Sequence, residues 1–485
     1  MGIVLKQSLK NTTITYIGFG IGAINILFLY TKILPDVYFG LVNVILATAA
    51  ILMPLLAFGV HNAMVKFYSG QREEDKDSFL TLMLVSPLMV LFPLALGTWL
   101  FYDDIANFLS KENEIVRDYV WYIFLVAFAM AYFEVFYAWC KVHLKSVFGN
   151  FLKEVFARLC VMILLGMYYF EIISLDFFLM ALVGVYLLRT LIIKLYAYYI
   201  RKPKLDFNFP KETKSILSYS LLIILGGSAA LILLEIDKVM INQFVEIENV
   251  AYYSVAVFIA TVIIVPSRAM HNITYPLTAE LLNSNNLTEL RKLYQKTSLT
   301  LFIASGILFL LIVLNLEELY KLLPKAYRGG FYIVLLIGST KVLDSLLGNN
   351  NAILYNSKYY KTVLLFGVCL AILTILLNLW LIPSMGIEGA ALASFIAICL
   401  FNILKLWYVN TKFKIQPFTG ATAKILATLV VLGALFSYLN FSFHPIINII
   451  LKSALLVAMY VGILYRFKIS EDVNGILSKF LNKRS

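Results

Sequence analysis

Thr362-Val-Leu-Leu-Phe-Gly-Val-Cys-Leu-Ala-Ile-Leu-Thr-Ile-Leu-Leu-Asn-Leu-Trp-Leu-Ile382 runs for 21 residues without a charge. As a helix rising 1.5 Å per residue it reaches roughly 30 Å, the thickness of a bilayer's hydrocarbon core. Stretches of the same kind recur on both sides of it. Fourteen qualify as spanning helices, at 12–33, 37–60, 79–101, 118–139, 154–173, 176–200, 215–236, 250–270, 298–316, 331–352, 362–382, 390–409, 421–441 and 446–466. Of the 485 residues 61% are hydrophobic and 14% charged, against about 25% charged in an ordinary soluble protein. The 28 acidic and 40 basic side chains cannot coat the surfaces of a soluble chain this long. A soluble enzyme, a disordered scaffold and a secreted disulfide protein are excluded together, and an all-α polytopic membrane protein of about fourteen spans is expected.

The connecting segments give the orientation. Lys and Arg number 26 in the segments 1–11, 61–78, 140–153, 201–214, 268–297, 353–361, 410–420 and 466–485, and 7 on the opposite side. Basic residues collect in cytoplasmic loops, so both termini are expected in the cytoplasm. The first stretch is too long, and too closely followed by a second, for a cleaved signal peptide. The net charge of +12 therefore reflects topology and does not imply nucleic acid as a partner.

The loops are short on both faces, which argues against an extracytoplasmic domain that could act as an enzyme or a receptor head. No G-x-x-x-x-G-K-[ST] sequence occurs, so no ATP site is expected. Cys140, Cys160, Cys369 and Cys399 form no C-x-x-C pair, and His61, His143, His271 and His444 form no ligand cluster. Neither a cofactor nor a metal is expected, and the chain reads as a transporter or a membrane-embedded enzyme. Transporters are commonly built from repeats. Ala47-Thr48, Pro54 and His61-Asn62 in the second span are echoed by Ala260-Thr261, Pro266 and His271-Asn272 in the eighth. The expected organisation is a six-helix lobe at 1–200, a cytoplasmic linker at 201–214, a parallel six-helix lobe at 215–409, and two further helices with a cytoplasmic tail at 410–485.

Asn378-Leu-Trp-Leu-Ile-Pro383-Ser-Met-Gly386-Ile-Glu-Gly389-Ala-Ala-Leu-Ala393-Ser394 resembles the hinge between spans 11 and 12 of the polysaccharide-unit flippases and exporters of the multidrug/oligosaccharidyl-lipid/polysaccharide transporter superfamily. Ile236-Asp237-Lys238-Val-Met-Ile-Asn, leading to Ala251-Tyr252-Tyr253-Ser254, is similar to that family's acidic-basic turn after span 7, with Ala251 in place of the usual glycine. The resemblance implies a hinge at Pro383, Gly386 and Gly389. It also implies a polyprenyl-diphosphate-linked oligosaccharide as substrate, flipped across the lipid bilayer by alternating access and passed towards polysaccharide polymerase machinery, in O-antigen or capsule export.

A diphosphate crossing hydrocarbon calls for positive charge along its path. Arg189 and Lys341 lie near the middle of spans 6 and 10, where an arginine costs about 2.5 to 3.5 kcal/mol unless it faces a cavity or a partner. Both are candidate diphosphate ligands, Arg189 the better because its planar fork can hold two oxygens. Each has a second reading: Arg189 pairs with Glu134, and Lys341 with Asp344 one turn on. Asp344, Glu134, Asp237 and Glu235 are the candidates for gating or coupling, with ordinary solvation at a span end the alternative for the last two. Arg158, Lys405 and Lys424 are expected to snorkel to the interface, Lys452 to anchor the last span, and Lys194 to do either. Gly338, Lys341, Ser345 and Gly348 form a stripe on span 10 that suits a polar cavity. Gly18, Gly20 and Gly22 with Asn25, and Gly226-Gly227-Ser228, suit either bending or close packing. A cation-coupled drug antiporter of the same superfamily would need acidic groups at the midplane instead.

Topology can be measured directly. Reporter fusions at the C terminus and within 201–214 should read as cytoplasmic and a fusion after Ser110 as external; a cytoplasmic signal after Ser110 breaks the alternation.

Overall fold

A chain that must satisfy its own amides in hydrocarbon has few options besides helices, and in the computed structural model every regular element among the described residues is helical. The structure describes residues 2–439, 441–469 and 475, with side chains at 2–6, 8, 9, 225–231, 269 and 272 outside the description. Gly226-Gly227-Ser228 and nearly all of the expected tail therefore lie outside it.

The principal helices are α1 (Gly2–Ile24), α2 (Asp36–Leu56), α3 (Lys76–Val85), α4 (Leu88–Leu100), α5 (Val120–Val142), α6 (Ala157–Tyr169), α7 (Leu175–Ile200) and α8 (Thr213–Phe244). They continue with α9 (Glu248–Thr261), α10 (Val265–Asn283), α11 (Leu287–Lys321), α12 (Phe331–Leu346), α13 (Asn350–Tyr355), α14 (Tyr360–Phe413), α15 (Gly420–Ser437) and α16 (Pro445–Arg466). Side chains finish several ends: Ser174 accepts from the Phe177 amide at 3.2 Å, Asn286 accepts from the Glu289 amide at 3.1 Å, and Thr419 and Thr422 form a capping box. Ten segments among the described residues are long and apolar enough to cross a membrane. The other expected spans are the second leg of α14, the 13-residue α6 with the π-helical turn Leu152–Phe156 before it, α8, and the 16-residue α12 continued by α13. The protein is an all-α multi-pass membrane protein. Its outward side chains are those that lipid accepts, among them Phe92, Leu376, Trp380 and Trp407.

The chain forms two compact units, residues 1–254 with 367–390, and residues 255–366 with 391–485. The core of the first gathers around Trp139 on α5, with Phe79 and Met83 of α3, Ile193 and Ala197 of α7 and Ile216 of α8, all fully or almost fully buried. In the second, α15 and α16 pack on α11 through Phe302, Leu310, Leu429, Leu456 and Tyr460. The Tyr460 hydroxyl donates to the Ile303 carbonyl at 3.1 Å.

The resemblance-based hinge falls inside α14. Gly386 has φ +58° and ψ −136°, a backbone region that side chains with a Cβ rarely enter. In a straight helix Leu381 and Gly389 would be about 12 Å apart, yet a Cβ on Gly389 would stand 2.3 Å from the Leu381 carbonyl oxygen. The chain folds back at Gly386, and Gly389 is the point where the returning backbone touches the outgoing one.

Gly386→Ala is therefore expected to cost about 1 kcal/mol or more and Gly389→Ala at least as much, each lowering the thermal-unfolding midpoint in detergent. Gly20→Ala, where nothing lies within 4 Å of the added methyl, should leave the midpoint unchanged or raise it. Equal midpoints for all three variants would contradict the fold-back.

Candidate functional site

Arg189 lies on α7, 7% exposed. Its neighbour Thr190 ties α7 to α5 by donating to the Ala129 carbonyl at 2.7 Å. The guanidinium carbon stands 4.2 Å from the Phe133 ring centroid and 4.8 Å from that of Tyr186, so two aromatic faces take part of the charge. No carboxylate completes it. Glu134, the alternative partner from the sequence, is buried one residue past Phe133 and is taken at 2.5 Å by Lys153. Among the described residues Arg189 makes no hydrogen bond or salt bridge, and its Nε is buried without an acceptor. A planar cation held on rings and left with open donors has the geometry to meet an anion.

Lys153 sits on the π-helical turn Leu152–Phe156, beside Glu154, which faces Arg158 at 3.3 Å. A second π-helical turn, Asn25–Leu29, follows α1, and buried Asn25 donates to the Arg158 carbonyl at 2.8 Å. A Cβ on Gly18 would stand 2.4 Å from the Glu154 oxygen and one on Gly22 3.3 Å from the Arg158 Nε. Of Gly18, Gly20 and Gly22, the first and last thus serve close packing, and the change of pitch comes at Asn25.

The two stretches that carry the family resemblance meet at one carboxylate. Asp237 on α8 accepts from the Tyr253 hydroxyl at 2.5 Å and from Asn378 Nδ2 at 2.8 Å. Asp237 is 5% exposed; ordinary solvation at a span end does not describe it. Glu235 nearby closes on Lys238 at 2.7 Å.

In the second unit Lys341 on α12 is buried and forms no salt bridge with Asp344. Asp344 instead accepts from Asn402 Nδ2 at 2.7 Å. The rest of the expected stripe turns to neighbouring helices. Ser345 pairs with Ser267 at 3.0 Å, a Cβ on Gly338 would touch Ile263 and Phe309 within 3.2 Å, and one on Gly348 would stand 2.7 Å from the Ser298 amide. Lys405 does not snorkel. It is 3% exposed, donates to Asn351 Oδ1 at 3.1 Å and lies 4.5 Å from the Phe401 ring centroid. Lys194 and Lys424 are exposed.

Sequence reasoning missed Lys153, which counted as a loop residue, and Asn402, an amide in an apolar run with no periodic signal. Tyr253 and Asn378 were quoted within the motifs, but nothing in either stretch says that they share an acceptor.

The fold has solved counterparts. The lipid II flippase MurJ, in an inward closed conformation, superposes with a TM-score of 0.73 at 15% identity, over 95% of this chain and 99% of that one. A multidrug resistance MATE family transporter of the MOP superfamily gives 0.59 in its inward-facing conformation, at 15% identity over 87% and 98% of the two chains. An outward-facing conformation of such a transporter gives 0.54, at 14% identity over 84% and 96%. No curated protein matches the sequence. The family described as polysaccharide biosynthesis protein matches residues 4–282, more than half of the chain, and the protein belongs to that family.

Proposed function

We propose that the protein flips a polyprenyl-diphosphate-linked oligosaccharide across the bacterial inner membrane by alternating access, with both termini in the cytoplasm and the segments 1–200 and 215–409 as the moving lobes. The observation that carries this reading is the uncompensated guanidinium of Arg189. Glu134 is occupied by Lys153, so the desolvation cost of Arg189 is left for a passing anion to offset. A diphosphate can meet both arms of the fork, and the Phe133 and Tyr186 rings hold that fork in one plane. Lys341 is the second proposed phosphate ligand. Asp237 and Asp344 are the proposed coupling groups, held by Tyr253, Asn378 and Asn402. Polysaccharide polymerase machinery is the proposed recipient of the flipped unit. The drug-antiporter reading is disfavoured because buried Arg189 and Lys341 would repel a cation.

Export is read with a labelled polyprenyl-diphosphate oligosaccharide in vesicles. Arg189→Ala should abolish it while the protein still accumulates in the membrane, and Arg189→Lys should keep a part, since charge survives and bidentate geometry does not. Normal export by Arg189→Ala places the phosphate elsewhere.

Because Lys341 and Asp344 share no salt bridge, the paired variants should not behave as a broken ion pair. Lys341→Leu should accumulate and export poorly, and adding Asp344→Leu should give no rescue. Full export by the double variant would sink the ligand role of Lys341.

A further inference from the structure

A cleft of about 250 Å³ opens where α11 ends, α12 begins and α15 hands over to α16, lined among others by Glu317, Glu318, Phe331, Phe441, Asn448 and Lys452. Lys452 lines it, is 7% exposed, and makes no hydrogen bond or salt bridge among the described residues, with Glu317 and Glu318 as its acidic neighbours. Lys452 lies seven residues, roughly 10 Å, into α16, and its amine faces this cleft instead of anchoring a span end. Glu318 gives one carboxylate oxygen to Lys321 at 2.7 Å, and its other oxygen is buried without a donor. Asn448 builds the wall: it donates to the Phe441 and Phe443 carbonyls at 3.0 and 3.1 Å and accepts from the Phe443 amide at 3.2 Å.

The open groups define the occupant. Lys452 needs an acceptor and Glu318 a donor inside one small volume. An anion would meet Glu317 and Glu318, and a simple cation would meet Lys452. A hydroxyl both donates and accepts, and aromatic rings suit the C–H face of a sugar. We propose that this cleft binds a neutral saccharide, with Lys452 donating to its hydroxyl oxygens, Glu318 accepting from its hydroxyls, and the rings of Phe331 and Phe441 against its carbon faces. That the saccharide is the carried glycan at the outer end of its route rests on the transport reading; binding itself does not.

The test is saturation-transfer NMR on the full chain in lipid nanodiscs, with N-acetylglucosamine, glucose and galactose as probes and phosphoethanolamine as competitor. At least one sugar should receive saturation. Its binding should weaken about tenfold or more in Lys452→Met and in Glu318→Gln, the loss expected when a hydrogen bond to a charged group goes. Arg189→Ala should bind the sugar as the wild type does, which separates this site from the transport reading. If Lys452→Met does not fold, Glu318→Gln decides. The proposal is overturned if no sugar receives saturation, if both folded variants bind as the wild type, or if phosphoethanolamine displaces the sugar, which would make the cleft a lipid headgroup site.

Discussion

A polar group inside hydrocarbon is satisfied by the protein or not at all, and each amide left over costs several kcal/mol. That single constraint accounts for most of what the fold does. Where the helical ladder is disturbed, a side chain steps in, as Asn25 does for the Arg158 carbonyl beside two π-helical turns. Where the chain must turn back without a loop, a glycine takes the strained conformation. Interior carboxylates follow the same rule: Glu134 has Lys153, Asp237 has Tyr253 and Asn378, Asp344 has Asn402.

Seen against such thorough pairing, the exceptions carry the information. Among the described residues Arg189, Lys341 and Lys452 are buried cationic side chains without a hydrogen bond or salt bridge. A structural charge would have acquired a counterion at little cost in sequence, as Glu134 did. A buried cation without a hydrogen bond keeps open donors that an incoming acceptor can fill. The chemistry around the two sites differs: aromatic rings flank the guanidinium of Arg189, and the carboxylates of Glu317 and Glu318 share the cleft with Lys452.

Much of this was legible in the sequence because hydrocarbon imposes its length and its apolarity on every span. The place of the fold-back at Gly386 came from the family resemblance of the stretch around Pro383, Gly386 and Gly389. Partner choice was not legible. Glu134 lies eight residues before the end of α5, where Lys153 on the following segment can reach it, and no periodicity distinguishes that from a pairing with Arg189. The burial of Asp237 was hidden for a related reason: its donors come from 16 and 141 residues away, and a carboxylate near a span end reads as solvated unless those donors are known. Lys405 failed in the opposite direction, because a lysine near a boundary is free to snorkel until an amide such as Asn351 offers it a nearer acceptor.

The turn at Gly386 also bears on how the chain enters the bilayer. From Thr362 to Leu404 the only charged residue is Glu388, and the reversal uses no hydrophilic loop. The first leg thus reaches the insertion machinery with almost nothing polar behind it to mark its end before the second leg follows. Glu388 is then the sole charge that the two legs carry into lipid between Thr362 and Leu404.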